Sequence, residues 1–211
     1  MQINAGAVLR PLSKAVLCVA LLSSLQGCVA VVAGAAVSGA MATADRRTLG
    51  AQTEDKAIAV KAEANMGSIV GDAGHVNINS YNRKVLLTGE VPDEATKTNV
   101  EREIADIAGV QSIVNDLVVA PPTSFSSRSN DTLLTGKVKA SLVDAQDISV
   151  NSYKVVTERA VVYLMGRVTQ REGTRAAEVA RGVAGVQKVV KVFDYITEDD
   201  VRQMQNTPSR Q

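Results

Sequence analysis

The chain predicts an α+β fold built from two tandem copies of one small domain, each a three-stranded sheet covered by two helices in the order αββαβ. Three observations predict it. The stretch Val85-Leu86-Leu87-Thr88-Gly89-Glu90-Val91 is answered by Val162-Tyr163-Leu164-Met165-Gly166-Arg167-Val168, and Ile107-Ala108-Gly109-Val110-Gln111 by Val183-Ala184-Gly185-Val186-Gln187. Gly89 and Gly166 are 77 residues apart, Gly109 and Gly185 are 76 apart, and a repeat of that length marks a duplicated domain rather than a solenoid. Within each copy, stretches with helical spacing of apolar residues alternate with stretches of strand spacing. A chain of 211 residues has room for two such domains and little more.

The first copy is expected over residues 55–119 and the second over 131–196. Its first helix is expected from Asp55 to about Met66, and its counterpart from Asp131 to about Val143. Leu134, Val138 and Leu142 recur every four residues and form one helical stripe, and Asn130 or Asp131 is expected to cap it. Val76, Ile78 and Ser80 alternate with Asn77 and Asn79, the pattern of a strand buried on one face. Asn82-Arg83-Lys84 is expected to turn the chain into Val85–Gly89. In the second copy Val155-Val156 is the first strand, Thr157-Glu158-Arg159 the turn and Val161–Met165 the second strand. Gly89 and Gly166 mark a bulge or a close backbone approach.

The second helix starts near Pro92-Asp93-Glu94 in one copy, with Val100, Ile104 and Ile107 as its stripe. In the other, Thr169 and Glu172 have the spacing of a capping box, and Ala176, Val179, Ala180 and Val183 form the stripe. Gly109 and Gly185 are expected as the glycines that end these helices. The last strands are expected at Ile113–Val119 and Val189–Ile196. Residues 120–130, with two prolines and four serines, read as a linker, and 197–211 as a disordered tail.

Composition narrows the function. Lys and Arg number 23 against 22 Asp and Glu, so no global field attracts nucleic acid, and 3% aromatic residues leave little for stacking on bases. The two cysteines, Cys18 and Cys28, both lie near the N-terminus, so the repeated domains hold no disulfide, thiolate nucleophile or thiolate metal site. His75 is the single histidine, which argues against a metal centre and reads as an ordinary surface residue. Asp93, Glu94 and Glu172 are accounted for by helix N-termini, and Arg83 and Lys84 by a solvent-facing turn. No catalytic constellation emerges, so no enzyme activity and no cofactor are expected.

The N-terminus carries the sharpest motif. Arg10 and Lys14 precede the apolar run Ala15–Leu22, which has signal-peptide length and is too short to span a bilayer. Leu25-Gln26-Gly27-Cys28 follows, and resembles the lipobox of bacterial lipoproteins. That resemblance implies removal of residues 1–27, acyl chains such as palmitate on Cys28, and a lipidated tether over residues 28–54. Val29-Ala30 lacks the aspartate that resembles an inner-membrane retention signal, which implies the periplasmic face of the outer membrane.

The order helix–strand–strand–helix–strand, with Val-x-Leu-x-Gly before the second helix and Gly-Val before the last strand, resembles the BON domain. Two such domains behind a lipobox resemble the DolP family of dual-BON outer-membrane lipoproteins. The resemblance implies binding to anionic phospholipid of the phosphatidylglycerol type, support of outer-membrane integrity and, in some bacteria, enrichment at the division site. The lipid contact it implies lies on the first helix of the second domain, here with Leu133, Thr135, Gly136, Lys137 and Lys139. The family often has tryptophan where this chain has Leu133. The alternative from another class is a periplasmic adaptor whose BON domains grip an envelope-assembly or peptidoglycan-remodelling protein.

Overall fold

The computed structural model describes residues 45–206, so the expected signal peptide, Cys28, most of the expected tether and residues 207–211 lie outside the described residues. Helix α1 (Leu49–Ile69) begins six residues before the expected start. Thr48 caps it by accepting a bond from the Ala51 N–H, and Ala51 packs inward, so residues 49–54 are helix rather than tether. Strands β1 (His75–Tyr81) and β2 (Lys84–Val91) then form an antiparallel hairpin. Helix α2 (Glu94–Ala105) starts from an Asp93 cap and carries the chain to β3 (Ser112–Asn115) and β4 (Val118–Val119), both parallel to the central β2.

The second copy repeats this order. Helix α3 (Phe125–Asp144) is followed by β5 (Tyr153–Glu158), β6 (Val161–Val168), α4 (Gln170–Arg181) and β7 (Lys188–Tyr195), with β6 central, antiparallel to β5 and parallel to β7. Ser124 caps α3 through the Ser127 N–H, so 125–130 are helix and the connection shrinks to residues 120–124. Neither Asn130 nor Asp131 is a cap. The capping box at Thr169 and Glu172 is present as expected. Residues 198–206, expected as disordered tail, form helix α5 (Glu198–Asn206), because Thr197 and Asp200 cap its start reciprocally and Val201 is buried.

The hairpin turns each use two residues with positive φ: Asn82 (51°) and Arg83 (65°), then Arg159 (52°) and Ala160 (59°). This is the twist that a two-residue hairpin favours, but non-glycine residues pay strain in that region. The same carboxylate relieves it in both copies. Asp55 on α1 accepts the N–H of Asn82 at 2.7 Å and of Arg83 at 2.8 Å. Asp131 on α3 accepts those of Arg159 and Ala160, both at 2.9 Å. The second turn therefore starts two residues later than expected, and Thr157 and Glu158 belong to β5.

Gly89 and Gly166 mark close backbone approaches: a Cβ on Gly89 would lie 2.0 Å from the His75 carbonyl oxygen, and one on Gly166 2.3 Å from that of Ser152. Gly109 and Gly185 do not end the helices, whose caps are Asp106 and Gly182. They sit three residues further on, at φ 98° and 102°, in turns closed by Val110 N–H to Ile107 C=O and Val186 N–H to Val183 C=O.

Each sheet is buried on both faces. Val85 and Leu87 point to the helices of their own domain, as do Val162 and Leu164. Leu86, Tyr163 and Met165, between them, point the other way and join Tyr81 and Val192 in a third apolar cluster shared by the two domains. The layers therefore run helices, sheet, sheet, helices, and α1 and α3 face outward on opposite sides. Polar contacts rim this seam. Lys84 Nζ meets Asp194 at 2.6 Å and the Phe193 carbonyl at 3.0 Å, so it is an interdomain bridge rather than turn decoration. Tyr163 donates to Asp116 at 2.7 Å, and Arg83 pairs with Glu54 instead of facing solvent alone.

Residues 45–48 strap the seam from outside. The Arg46 guanidinium forks onto Glu172 at 2.7 and 2.8 Å and also donates to the Arg167 carbonyl. Arg47 bridges Asp45 and Asp55 and stacks 4.1 Å from the centre of the Tyr81 ring. Burial, with Asp45 nearby, pushes the Tyr81 phenol up to about 12.

Candidate functional site

Helix α3 has 20 residues, a length of about 30 Å at 1.5 Å each. Its inward face is Asp131, Leu134, Val138 and Leu142, all buried. Asp131 is held by the β5–β6 turn and the three aliphatic residues by the second domain's core. Those contacts fix which residues look out. Phe125, Leu133 and Val143 are 79%, 66% and 60% exposed. On a wheel of 100° per residue, Phe125, Leu133, Gly136, Ala140 and Val143 fall within one outward sector. Lys137 and Lys139 are exposed on its two flanks, and neither forms a salt bridge with a described residue.

An aligned row of exposed Phe, Leu and Val differs from singly scattered apolar residues, which any surface carries. Uncharged small residues between them leave a smooth strip, and the flanking lysines have long apolar stems that reach past it with the charge at the tip. Chemically the strip suits shallow burial in an apolar layer whose surface is anionic. Gly136 has open space where a Cβ would be, so nothing in the packing of the helix demands glycine there.

The structure thus brings Leu133, Gly136, Lys137 and Lys139 together on one accessible face. It turns Thr135 away: its hydroxyl donates to Thr157 Oγ1 on β5 at 2.7 Å, which ties the helix to its own sheet. Cys28 lies outside the described residues. Phe125 and Val143 were missed in sequence because Phe125 was read as linker and Val143 as the end of the helix. Among the described residues no group of three or more His, Cys, Asp or Glu side chains could hold a metal ion, and no helix is long and apolar enough to cross a membrane.

The family comparison falls on these two domains in turn. The BON domain matches at residues 54–121 and again at 130–197. The outer membrane lipoprotein DolP of Haemophilus influenzae is 36% identical over 193 residues, an alignment covering 89% of this chain and 98% of that one. The chain is a dual-BON protein of the DolP family. A 21 kDa hemolysin of Actinobacillus pleuropneumoniae is 30% identical over 154 residues, covering 72% of this chain and 79% of the relative. Neither name is that of an enzyme. In BON terms, α3 is the first helix of the second domain, and α1 is its duplicate in the first.

Proposed function

We propose that this dual-BON protein is an outer-membrane-associated lipoprotein, anchored through Cys28 on the periplasmic face, that docks α3 on anionic phospholipid and so supports the outer-membrane barrier, including at the division site. The observation that carries the reading is the outward strip of α3, where Phe125, Leu133 and Val143 stand exposed among small uncharged residues and are flanked by Lys137 and Lys139. The name of the Haemophilus relative supports the outer-membrane assignment. Each lysine near an anionic surface contributes about 1 kcal/mol, and burying a leucine or phenylalanine side chain fully contributes about 1.5–3 kcal/mol. A strip of this size binds weakly alone. An acyl anchor raises its effective concentration at the bilayer, so weak docking suffices. The reading assigns no catalysis.

The test is binding of residues 45–211 to vesicles with and without phosphatidylglycerol. Binding that needs the anionic lipid, weakens with salt and is lost in Leu133→Asp and in the double Lys137→Glu, Lys139→Glu supports the reading. A folded protein that ignores both kinds of vesicle contradicts it and turns the search to a protein partner of the adaptor kind.

A further inference from the structure

Beside the outward strip of α3 lies a notch of about 240 Å³, shared with the edge strands β1 and β5. It has room for several waters. Helix α3 contributes Arg128 and Thr132, β1 contributes His75 and Asn77, and β5 contributes Thr157 and Glu158. On a wheel of 100° per residue, Arg128 and Thr132 fall on the same flank of the strip as Lys139, so the notch adjoins the strip on that flank.

Two opposite charges in this notch are left without partners. Glu158 is only 3% exposed. Its Oε2 accepts a 2.6 Å bond from Asn77 Nδ2, a residue of the other domain. Its Oε1 accepts from no described residue, and no described cation forms an ion pair with it. The half-buried Arg128 guanidinium likewise makes no hydrogen bond or salt bridge with a described residue. A charge that leaves water normally takes a partner, because an unpaired one is costly. These two share a cavity and do not pair with each other. Asp131, the third charge there, is already occupied, since its two oxygens hold the β5–β6 turn. Neither free charge is a requirement of the fold: the first domain has Tyr81 in the place of Glu158, 77 positions earlier, and Gln52 in the place of Arg128, 76 positions earlier.

We propose that this notch takes a phosphate–ammonium zwitterion, the headgroup of an ethanolamine phospholipid, with the phosphate on Arg128 and the ammonium on Glu158 Oε1. A guanidinium forks onto phosphate oxygens. A primary ammonium carries three N–H donors, one of which satisfies Oε1, and the Thr157 hydroxyl is a further acceptor in the same notch. A purely anionic group would meet Arg128 but also two carboxylates. A simple cation would leave Arg128 unpaired. Only a ligand with both charges satisfies both residues. A trimethylated choline nitrogen has no N–H to give, so the notch discriminates against it. The inference rests on the reading of α3 as the lipid-facing helix: Lys137 and Lys139 hold it at an anionic surface, and the notch then selects among the zwitterionic headgroups around it.

The experiment follows the Asn77 side-chain amide and the Arg128 Nε–H of the full chain by NMR. Nanodiscs of phosphatidylglycerol mixed with either phosphatidylethanolamine or phosphatidylcholine, at one anionic fraction, are added in one arm. Soluble O-phosphoethanolamine, phosphocholine and inorganic phosphate are added in the other. Both signals should shift with the ethanolamine lipid and with O-phosphoethanolamine, and with none of the other probes at the same concentration. Arg128→Gln and Glu158→Gln, read at Asn77 and checked by unfolding curves, should each weaken O-phosphoethanolamine roughly tenfold or more. Arg128 is half-buried, so its variant decides the matter if Glu158→Gln does not fold. No shift with either ethanolamine probe, an equal response to choline, or unaltered binding by Arg128→Gln overturns the proposal. A response to O-phosphoethanolamine but not to the lipid overturns the lipid as its source. Failure of the α3 reading shows separately, as vesicle binding that Leu133→Asp leaves unchanged.

Discussion

Helices α1 and α3 occupy the same place in the two BON domains and are matched at a shift of 76 residues. Inward they agree. Ile58, Ala62 and Met66 match Leu134, Val138 and Leu142, all buried, and Asp55 matches Asp131, both clamping the turn of their own hairpin. Outward they diverge. Ala57 is replaced by Leu133, Lys56 by Thr132 and Glu63 by Lys139, while Lys61 is retained as Lys137. In the matching sector α1 also exposes Leu49 and Val60, but its flanks carry both signs, Lys56, Lys61 and Glu63, whereas on α3 Phe125, Leu133 and Val143 are flanked by Lys137 and Lys139. Duplication kept what the fold needs and changed what meets the surroundings. That difference in flanking charge is why the proposed lipid docking is assigned to α3 and not to its twin.

The largest expected difference between the copies is at the shared aspartate. Asp55 also accepts from Ser80 at 2.6 Å and pairs with Arg47 at 2.7 Å, contacts that Asp131 lacks. Burial works to raise the Asp55 carboxyl, but these bonds and the two turn N–H groups outweigh it and hold it below the usual range. Asp55→Ala should cost roughly 3–5 kcal/mol in urea unfolding, since it strands Arg47 as well as the turn. Asp131→Ala should cost about 1.5–3 kcal/mol. The Asp55 share of stability is present above the ordinary aspartate range and is lost as pH falls through its lowered value. An equal cost at the two sites would break the comparison.

Leu86→Ala empties the seam rather than either domain's own core. It should cost about 2–5 kcal/mol and split one calorimetric transition into two, because the domains would then unfold separately. A smaller effect is expected at the caps of the second helices. Thr169 shares a reciprocal box with Glu172, and Arg46 grips the same carboxylate, while Asp93 caps its exposed helix start by accepting the Thr96 N–H. Thr169→Ala should cost about 1–2 kcal/mol in urea unfolding, and Asp93→Ala should cost less. The smallest effect belongs to Val60→Asp on the outward face of α1, within about 0.5 kcal/mol in the same measurement.

Much of the fold was legible in the sequence because the duplication presents each pattern twice. Gly89 and Gly166, the capping box at Thr169 and the buried stripe Leu134, Val138, Leu142 all stand where periodicity and turn chemistry put them. The helix starts were not legible. Thr48 and Ser124 cap helices whose first turns are polar and serine-rich, and a polar first turn looks like linker until its buried side is known. The aspartate clamp was hidden because Asp55 and Asp131 look like N-caps by type, and only tertiary contact shows what they hold. The seam had left a signal: Val85-Leu86-Leu87 and Val162-Tyr163-Leu164-Met165 are unbroken apolar runs, which mark strands buried on both faces. At the candidate site, Leu133, Lys137 and Lys139 were named through the family pattern, and the structure leaves all three exposed. Thr135 was placed outward because sequence alone does not reveal its partner Thr157.

The most direct measurement compares the twins under one condition. Residues 45–211 carrying Leu133→Asp on α3, or Val60→Asp on α1, are mixed with phosphatidylglycerol-containing vesicles and floated through a density step, with unfolding curves recorded to show that both variants are folded. The account predicts that Leu133→Asp stays in the soluble fraction and that Val60→Asp floats like the unaltered protein. Equal flotation of the two variants, or loss through Val60→Asp instead, would contradict it.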